Sequence, residues 1–474
     1  MIGQVERRRQ PFDLLQVPLI GDFLRWKHGR TAMQFVLFGL AAAIIIDGLL
    51  GSPLAAKNVA TVSAWVHYRG LVVLALLVAG NLFCAACPFM LPRKFAKWLG
   101  RPGRRWPKPL RNKWLALAGF VGIVYTYELF DLWASPWWTA WLAIAYFATA
   151  FVLEAFFTRD SFCLYVCPLG TFNFLYSTAS PLQISAKDQH TCRDCKGHEC
   201  INGAPNQPGC QLELFVPTIK SNLDCTLCLD CVKACPYDNV ALTVRPPGDE
   251  LFRQSWPNRL DLALLALLAA FVGLANAFAM TPPVYDLERQ LADWLNTRSE
   301  ALVLGIVYFG SAVIIPLALA YGAAWLSQRW GSAHTSLNRL VMRYGYSFVP
   351  LGFAIWTAHF LFHFLTGAMT IVPAFQTFFA DTLGVPLLGE PDWSLALWFI
   401  PSVTTIQTMQ LLILGVGALA GVHLAVNAAH RANGRKRTFW IEAAPWLLLL
   451  FLLAAASANT FVLPMEMRGS AIGG

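Results

Sequence analysis

The residues of this chain best able to do chemistry are its 12 cysteines. Four of them, Cys225, Cys228, Cys231 and Cys235, precede Pro236 in the spacing C-x2-C-x2-C-x3-C-P. Three thiolates this close reach three irons of one [4Fe–4S] cube from a single turn of chain. The fourth, set aside by the proline, is directed to a second cluster. A second cysteine set is therefore required, and Cys192, Cys195, Cys200 and Cys210 supply it just upstream as C-x2-C-x4-C-x9-C. Exchange of the fourth ligand assigns one cluster to Cys225, Cys228, Cys231 and Cys210, and the other to Cys192, Cys195, Cys200 and Cys235. Zinc ribbons also use C-x2-C pairs, and structural disulfides suit oxidising compartments. Neither accounts for C-x2-C-x2-C-x3-C-P, so the expected chemistry is electron transfer through two [4Fe–4S] clusters on loops of bacterial ferredoxin type.

The other four cysteines form two pairs, Cys84 with Cys87 and Cys163 with Cys167, each pair followed at once by a proline, Pro88 and Pro168. Proline in that place is a habit of cluster loops. Two pairs at the ends of two helices complete a four-thiolate site, so a third [4Fe–4S] cluster is one reading. A redox-active dithiol pair, a bound zinc or copper ion and a reduced structural set are the others.

The elements that must position these thiols lie in a membrane. Of 474 residues, 56% are hydrophobic and only 13% charged, and the mean hydropathy of +0.50 is foreign to soluble domains. Apolar stretches of about 20 residues fall near 31–51, 66–84, 113–133, 137–157, 259–280, 301–323, 345–372, 401–427 and 440–460. The expected fold is a polytopic α-helical membrane protein of about nine spans. Residues 1–180 form a membrane block of about four helices and 181–258 a small 2[4Fe–4S] ferredoxin-type insert. Residues 259–474 form a second block of about five helices, after a rigid exit at Pro246, Pro247 and Gly248. No repeat relates the two blocks. Residues 1–30 mix arginines and acids with apolar residues and lack an A-x-A-like site, so no removable signal peptide is expected.

Lysine and arginine in the loops orient the chain. Arg7, Arg8, Arg9, Arg25, Lys27 and Arg30 precede the first span. Arg93, Lys94, Lys97, Arg101, Arg104, Arg105, Lys108, Arg111 and Lys113 fill the second loop, and Arg431, Arg435, Lys436 and Arg437 follow the eighth span. The loops between hold only Lys57, or Asp381, Glu390 and Asp392 without a basic residue. The N-terminus and the insert are expected in the cytoplasm of a bacterium, beneath its inner membrane, and the C-terminus outside. Topology thus explains the net charge of +9, and no nucleic-acid partner is called for.

The chain resembles membrane polyferredoxins of the NapH/NosR type, and more loosely the CcoG type. The likeness lies in the two proline-ended pairs, the run FCLYVCPLG at 162–170 and the ferredoxin motif after it, over residues 66–245. It implies a four-helix membrane part with cytoplasmic clusters and electron exchange with the quinone pool. Three departures stand out: the first pair is C-x2-C-P in place of C-x3-C-P, the first ferredoxin motif is widened, and the last helical block is extra. That block is similar to FesM-type membrane iron–sulfur proteins.

Ionisable side chains within spans are functional candidates, because lipid makes them costly. His359 and His363, four residues apart, share a helix face, and His423 lies near the inner end of the eighth span. These histidines suit a b-type haem, a quinone carbonyl or a bond to a neighbouring helix. At about 1.5 Å rise per residue, His359 and His423 lie too far apart in depth to share one iron, which leaves His67 as the visible haem partner for His363. Asp47, His67, Glu128 and Asp131 fall near outer helix ends. Glu154, near the inner end of the fourth span and close in sequence to Cys163, is the candidate acceptor of quinol protons. Trp133, Trp137, Trp138 and Trp141 are expected as interfacial anchors.

These features give a membrane iron–sulfur oxidoreductase subunit that passes electrons between the quinone pool and a redox partner, a cytochrome or a soluble iron–sulfur or flavin protein. No G-x-G-x-x-G fingerprint provides for NADH. A biogenesis or regulatory factor that reduces copper or thiols, like the CcoG type, is the alternative, and a redox-driven transporter is a third.

Overall fold

The computed structural model describes residues 12–101, 103–253, 256–331, 334–433 and 438–465. The basic residues Arg7, Arg8, Arg9, Arg435, Lys436 and Arg437 lie outside this range. The apolar stretches are helices, as hydrocarbon demands, because a helix satisfies its own backbone N–H and C=O groups. In chain order they are α1 (Gly29–Leu50), α2 (Val59–Ala79), α3 (Trp114–Leu129), α4 (Pro136–Phe156), α5 (Leu260–Phe278) and α6 (Glu300–Trp330). There follow α7 (Phe348–Gly367), the straight part of a longer run over Leu337–Thr382, then α8 (Val403–Ala432) and α9 (Phe439–Val462). Eight of these segments are long and apolar enough to cross a membrane; α3, with 16 residues, is shorter.

Two boundaries differ from expectation for local reasons. α2 begins at Val59, well before residue 66, because Asn58 caps it. The Asn58 side chain accepts from Ala60 N at 2.9 Å and donates to the Asp47 carbonyl at 2.7 Å, while the Asp47 carboxylate accepts from Val59 N at 2.6 Å. α3 ends at Leu129 and does not run on to 133, because the chain turns through Asp131 with φ at 43°. α2 widens into a π-helical turn over Val62–Tyr68 and breaks at Gly80. There φ is +63°, and a Cβ would sit 2.6 Å from Ser180 Oγ. Only glycine accepts that backbone at no steric cost, and the break sends Leu82–Ala85, with Cys84, toward residues 181–258.

That polar segment rests on a two-stranded antiparallel sheet, β1 (Leu182–Ala186) and β2 (Val240–Val244), with Leu182 opposite Val244. Ile184, Val240 and Leu242 close over Val216, Leu227, Leu229 and Val232 as its small core. The segment docks where helix ends converge. Arg30 at the start of α1 pairs with Asp230 at 2.8 Å, Asn81 beyond α2 donates to the Cys225 carbonyl at 3.1 Å, and Lys113 before α3 pairs with Asp224. Arg159 beyond α4 donates to the Cys210 carbonyl at 3.4 Å, and Arg431 near the end of α8 donates to the Arg253 carbonyl at 3.0 Å. Successive helices therefore run in alternating directions, with the starts of α1 and α3 and the ends of α2, α4 and α8 on the side of the polar segment.

The two helical halves share one interior. A single core runs from Val72 and Phe120 in the first half through Trp356 to Trp446 in the second. At its centre α5, apolar all round, is buried on nearly every face, as such helices are.

Candidate metal centres

The twelve cysteines stand in three groups of four, each around its own cavity. In the loop that carries the C-x2-C-x2-C run, Asp224, Leu227 and Leu229 take left-handed φ values of 67°, 52° and 60°. These reversals turn Cys225, Cys228 and Cys231 to one cavity, and Cys210 completes its wall beside Ile184, Leu212 and Ile219. A second cavity is walled by Cys192, Cys195, Cys200 and Cys235 with His198 and Phe215. Cys231 lies in the short helix Asp230–Ala234 and Cys235 caps its end, so one helical turn serves both groups. The third cavity is walled by Cys84, Cys87, Cys163 and Cys167 among Phe83, Phe89, Phe162 and Phe174. Cys163 is presented there by a π-helical turn, Phe162–Val166, closed by Cys167 N on the Phe162 carbonyl at 2.8 Å.

Each of the three cavities encloses about 20 Å³. Thr226 lines both the first and the third.

The donor chemistry suits thiolate ligands. All twelve cysteines are free of disulfides. Asn239 Nδ2 donates to Cys192 Sγ at 3.2 Å and Asn239 N to Cys235 Sγ at 3.4 Å. In the membrane-side set, Asn173 Nδ2 donates to Cys84 Sγ at 3.3 Å and Gly170 N to Cys167 Sγ at 3.1 Å. Among the described residues no three His, Cys, Asp or Glu side chains stand close enough to hold a single metal ion. A zinc ion would draw its sulfurs to about 2.3 Å from one centre. Four cysteines around one cavity are the donor set that a four-iron cluster takes. Burial pushes the Cys87 thiol up to about 11 and Cys167 up to about 12, and raises Cys192, Cys200, Cys210, Cys225 and Cys231 as well. Such thiols keep their protons at neutral pH until a metal displaces them.

Strain marks the same region. Of the ten non-glycine residues with positive φ among the described residues, six, namely His198, Glu213, Asp224, Leu227, Leu229 and Asp238, lie in the polar segment. Each costs on the order of 1 kcal/mol, a sizeable load for so small a core.

The other candidate residues are more scattered. Glu154 is buried, and Lys97 Nζ lies 3.2 Å from its carboxylate, in ion-pair range but off the line of a hydrogen bond. Lys97 also stands 3.6 Å from Asp160, which Arg93 grips with two bonds of 2.9 and 2.7 Å. Burial alone would raise Asp160, but the facing Arg93 and Lys97 outweigh it and hold the carboxyl below its ordinary range. His359, fully buried, and His363, half-buried, meet edge to face with ring centres 4.9 Å apart. Both ring nitrogens of His67 engage backbone carbonyls, of Val62 at 3.0 Å and Ala368 at 2.8 Å, and His423 Nε2 engages Asn427 at 2.8 Å. Asp47 ties α1 to α2 as described, and Glu128 accepts from Asn276 Nδ2 at 2.7 Å. The sulfur donors Asn173 and Asn239 escaped the sequence reading. Their one signal is an asparagine a few residues beyond a Cys-Pro pair.

Comparison with known proteins gives two partial likenesses. The chain is 30% identical over 131 residues, 27% of its length, to YccM of Escherichia coli (strain K12), to which electron transport is ascribed; the match spans about a third, 34%, of that protein. It is 24% identical over 218 residues, 43% of its length, to the methylamine utilization ferredoxin-type protein MauN of Paracoccus denitrificans (strain Pd 1222), covering 72% of that protein. No family model and no solved structure matches. The likenesses support an electron-transport, ferredoxin-type character, and they do not single out the NapH/NosR type.

Proposed function

We propose that this chain is a membrane-embedded iron–sulfur electron carrier, one subunit of a larger oxidoreductase, exchanging electrons between the quinone pool and a redox partner such as a cytochrome or a soluble iron–sulfur or flavin protein. The observation that carries the reading is the row of three four-cysteine cavities, running from an aromatic-walled site against the membrane helices to one at the surface of the polar segment. Cys84, Cys87, Cys163 and Cys167 would hold one [4Fe–4S] cluster, Cys210, Cys225, Cys228 and Cys231 a second, and Cys192, Cys195, Cys200 and Cys235 a third. A cluster so held takes up and releases one electron at a time.

The protein's own groups set the conditions. Asn173, Gly170 and Asn239 donate hydrogen bonds to sulfur, a lever that tunes cluster potential. The phenylalanines around the membrane-side set exclude water, and the exposed Arg193, Asp194 and Lys196 beside Cys192 and Cys195 offer a partner a place to dock. Arg25, Lys27, Arg30 and the basic residues of 93–113 gather on the side of the polar segment, which by the positive-inside rule is the cytoplasm of a bacterial inner membrane.

Anaerobically purified protein should carry about four iron and four labile sulfide per cysteine group. Cys228→Ala and Cys195→Ala should each remove one cubane signal by EPR, and added quinol should change the rest. Unchanged iron content in both variants would sink the assignment. Copper(II) reduction with no response to quinone would favour the maturation-factor reading instead.

A further inference from the structure

Beside the membrane-side cysteine group lies a cavity of about 230 Å³ lined mostly by apolar side chains of α1, α2, α3, α4 and α7, with Asn276 of α5 among its few polar groups. Phe83, Phe89 and Leu169 line both this cavity and the cysteine cavity, so a single layer of side chains separates them. The Tyr68 and Tyr146 hydroxyls, both on the apolar cavity, lie within electrostatic reach of Cys87 and Cys167.

One charged group enters this wall. Arg69, eleventh residue of the 21 in α2, stands halfway along that helix and is buried. It donates to the Tyr127 hydroxyl at 3.2 Å, and its guanidinium lies over the rings of Tyr127, Trp65 and Phe360 at 4.2, 4.8 and 5.1 Å. No ion pair joins Arg69 to a carboxylate among the described residues. A guanidinium carries five N–H donors, and a cation at this depth costs at least a few kcal/mol. The Tyr146 hydroxyl and Ser63 Oγ, also on the wall, are buried without a well-formed hydrogen bond. An apolar cavity with a few convergent polar groups is the usual form of a small-molecule site.

We propose that this cavity binds the head group of a 1,4-quinone, with Arg69 donating to one carbonyl oxygen and the aromatic wall stacking the ring. The inference rests on the electron-carrier reading above and gives that reading its membrane-side substrate site. A lipid acyl chain would fill the same volume but offer nothing to Arg69 or Tyr146. The π-helical turn Val62–Tyr68 is the local device, since turns of this kind recur at functional sites and this one sets Trp65, Tyr68 and Arg69 on the cavity.

The test uses the full chain in lipid nanodiscs with a photoreactive azidoquinone, the labelled peptides being mapped by mass spectrometry. Label is expected on α2 or α4 and should be competed away by unlabelled quinone. Arg69→Leu should weaken competition at least tenfold. Ala143→Phe, which fills the cavity from α4 and leaves Arg69 in place, should abolish the label while iron content and melting temperature hold. Cys167→Ala should lose iron and keep the label, which separates the binding site from the electron-carrier reading. Label confined to other helices, full labelling in folded Ala143→Phe protein, or competition by phospholipid but not quinone would each overturn the proposal.

Discussion

A sulfur that is to hold iron must first lose a proton, and the surroundings of Cys87 and Cys167 make that costly. Burial lifts these thiols from the ordinary 9.0 to about 11 and about 12. A raised folded-state value means that the metal-free protein is unpenalised below pH 9 and loses stability as pH climbs toward 11 to 12, because the unfolded chain ionises first. Metal-free protein should therefore show a lower urea midpoint at about pH 10.5 than at about pH 8. Loaded protein, whose sulfurs are already deprotonated, should not. Equal midpoints in the metal-free protein would mean that these thiols are not shielded as the geometry requires.

At the scale of elements, the breaks in the helices matter as much as their lengths. Gly80→Ala would place a Cβ against Ser180 Oγ, 2.6 Å away, in a left-handed backbone with φ at +63°. It should cost about 1–3 kcal/mol and should lower iron content by loosening Cys84 and Asn81 from the polar segment. A melting temperature and iron count equal to those of the unsubstituted protein would contradict this role for the break. Such breaks also decide what could be read beforehand. Cysteine spacing announced which thiols share a loop, because ligand reach is a local property. The same spacing says nothing of Asn173, 89 residues from the Cys84 it serves. Arg69 went unnoticed for a related reason: with α2 taken to begin near 66, it looked like a residue at a helix end. The caps at Asn58 and, from the end of α1, Asp47 move it to the middle, and such side-chain caps are invisible to a hydropathy window. Glu154 and the histidine pair stood out as ionisable residues in spans, yet neither lines the cavity beside the cysteines.

Over the whole molecule, the cavities form a path with a direction. It begins between helices at Arg69 and Tyr68, passes the membrane-side cysteines, reaches the first polar group through Thr226, and ends at Cys192 and Cys195. The helix ends put the polar segment on one side of the bundle, and the positive-inside rule predicts that side to be the cytoplasm. Trypsin added to inverted vesicles should cleave at the exposed Arg193 and Lys196, whereas intact spheroplasts should protect both sites. Cleavage from outside would reverse the orientation and place the partner in the other compartment.

The shared interior also governs how far the protein can be pared down. A minimal fragment ending at residue 258 would retain every cysteine, and by that measure would look complete. It would lack Trp356 and Phe360, which close one flank of the cavity around Arg69, and α5, the helix packed behind them. Its guanidinium would open onto lipid. Such a fragment would load metal yet leave its small-molecule pocket unroofed, so the later helices are part of the working device and no mere anchor.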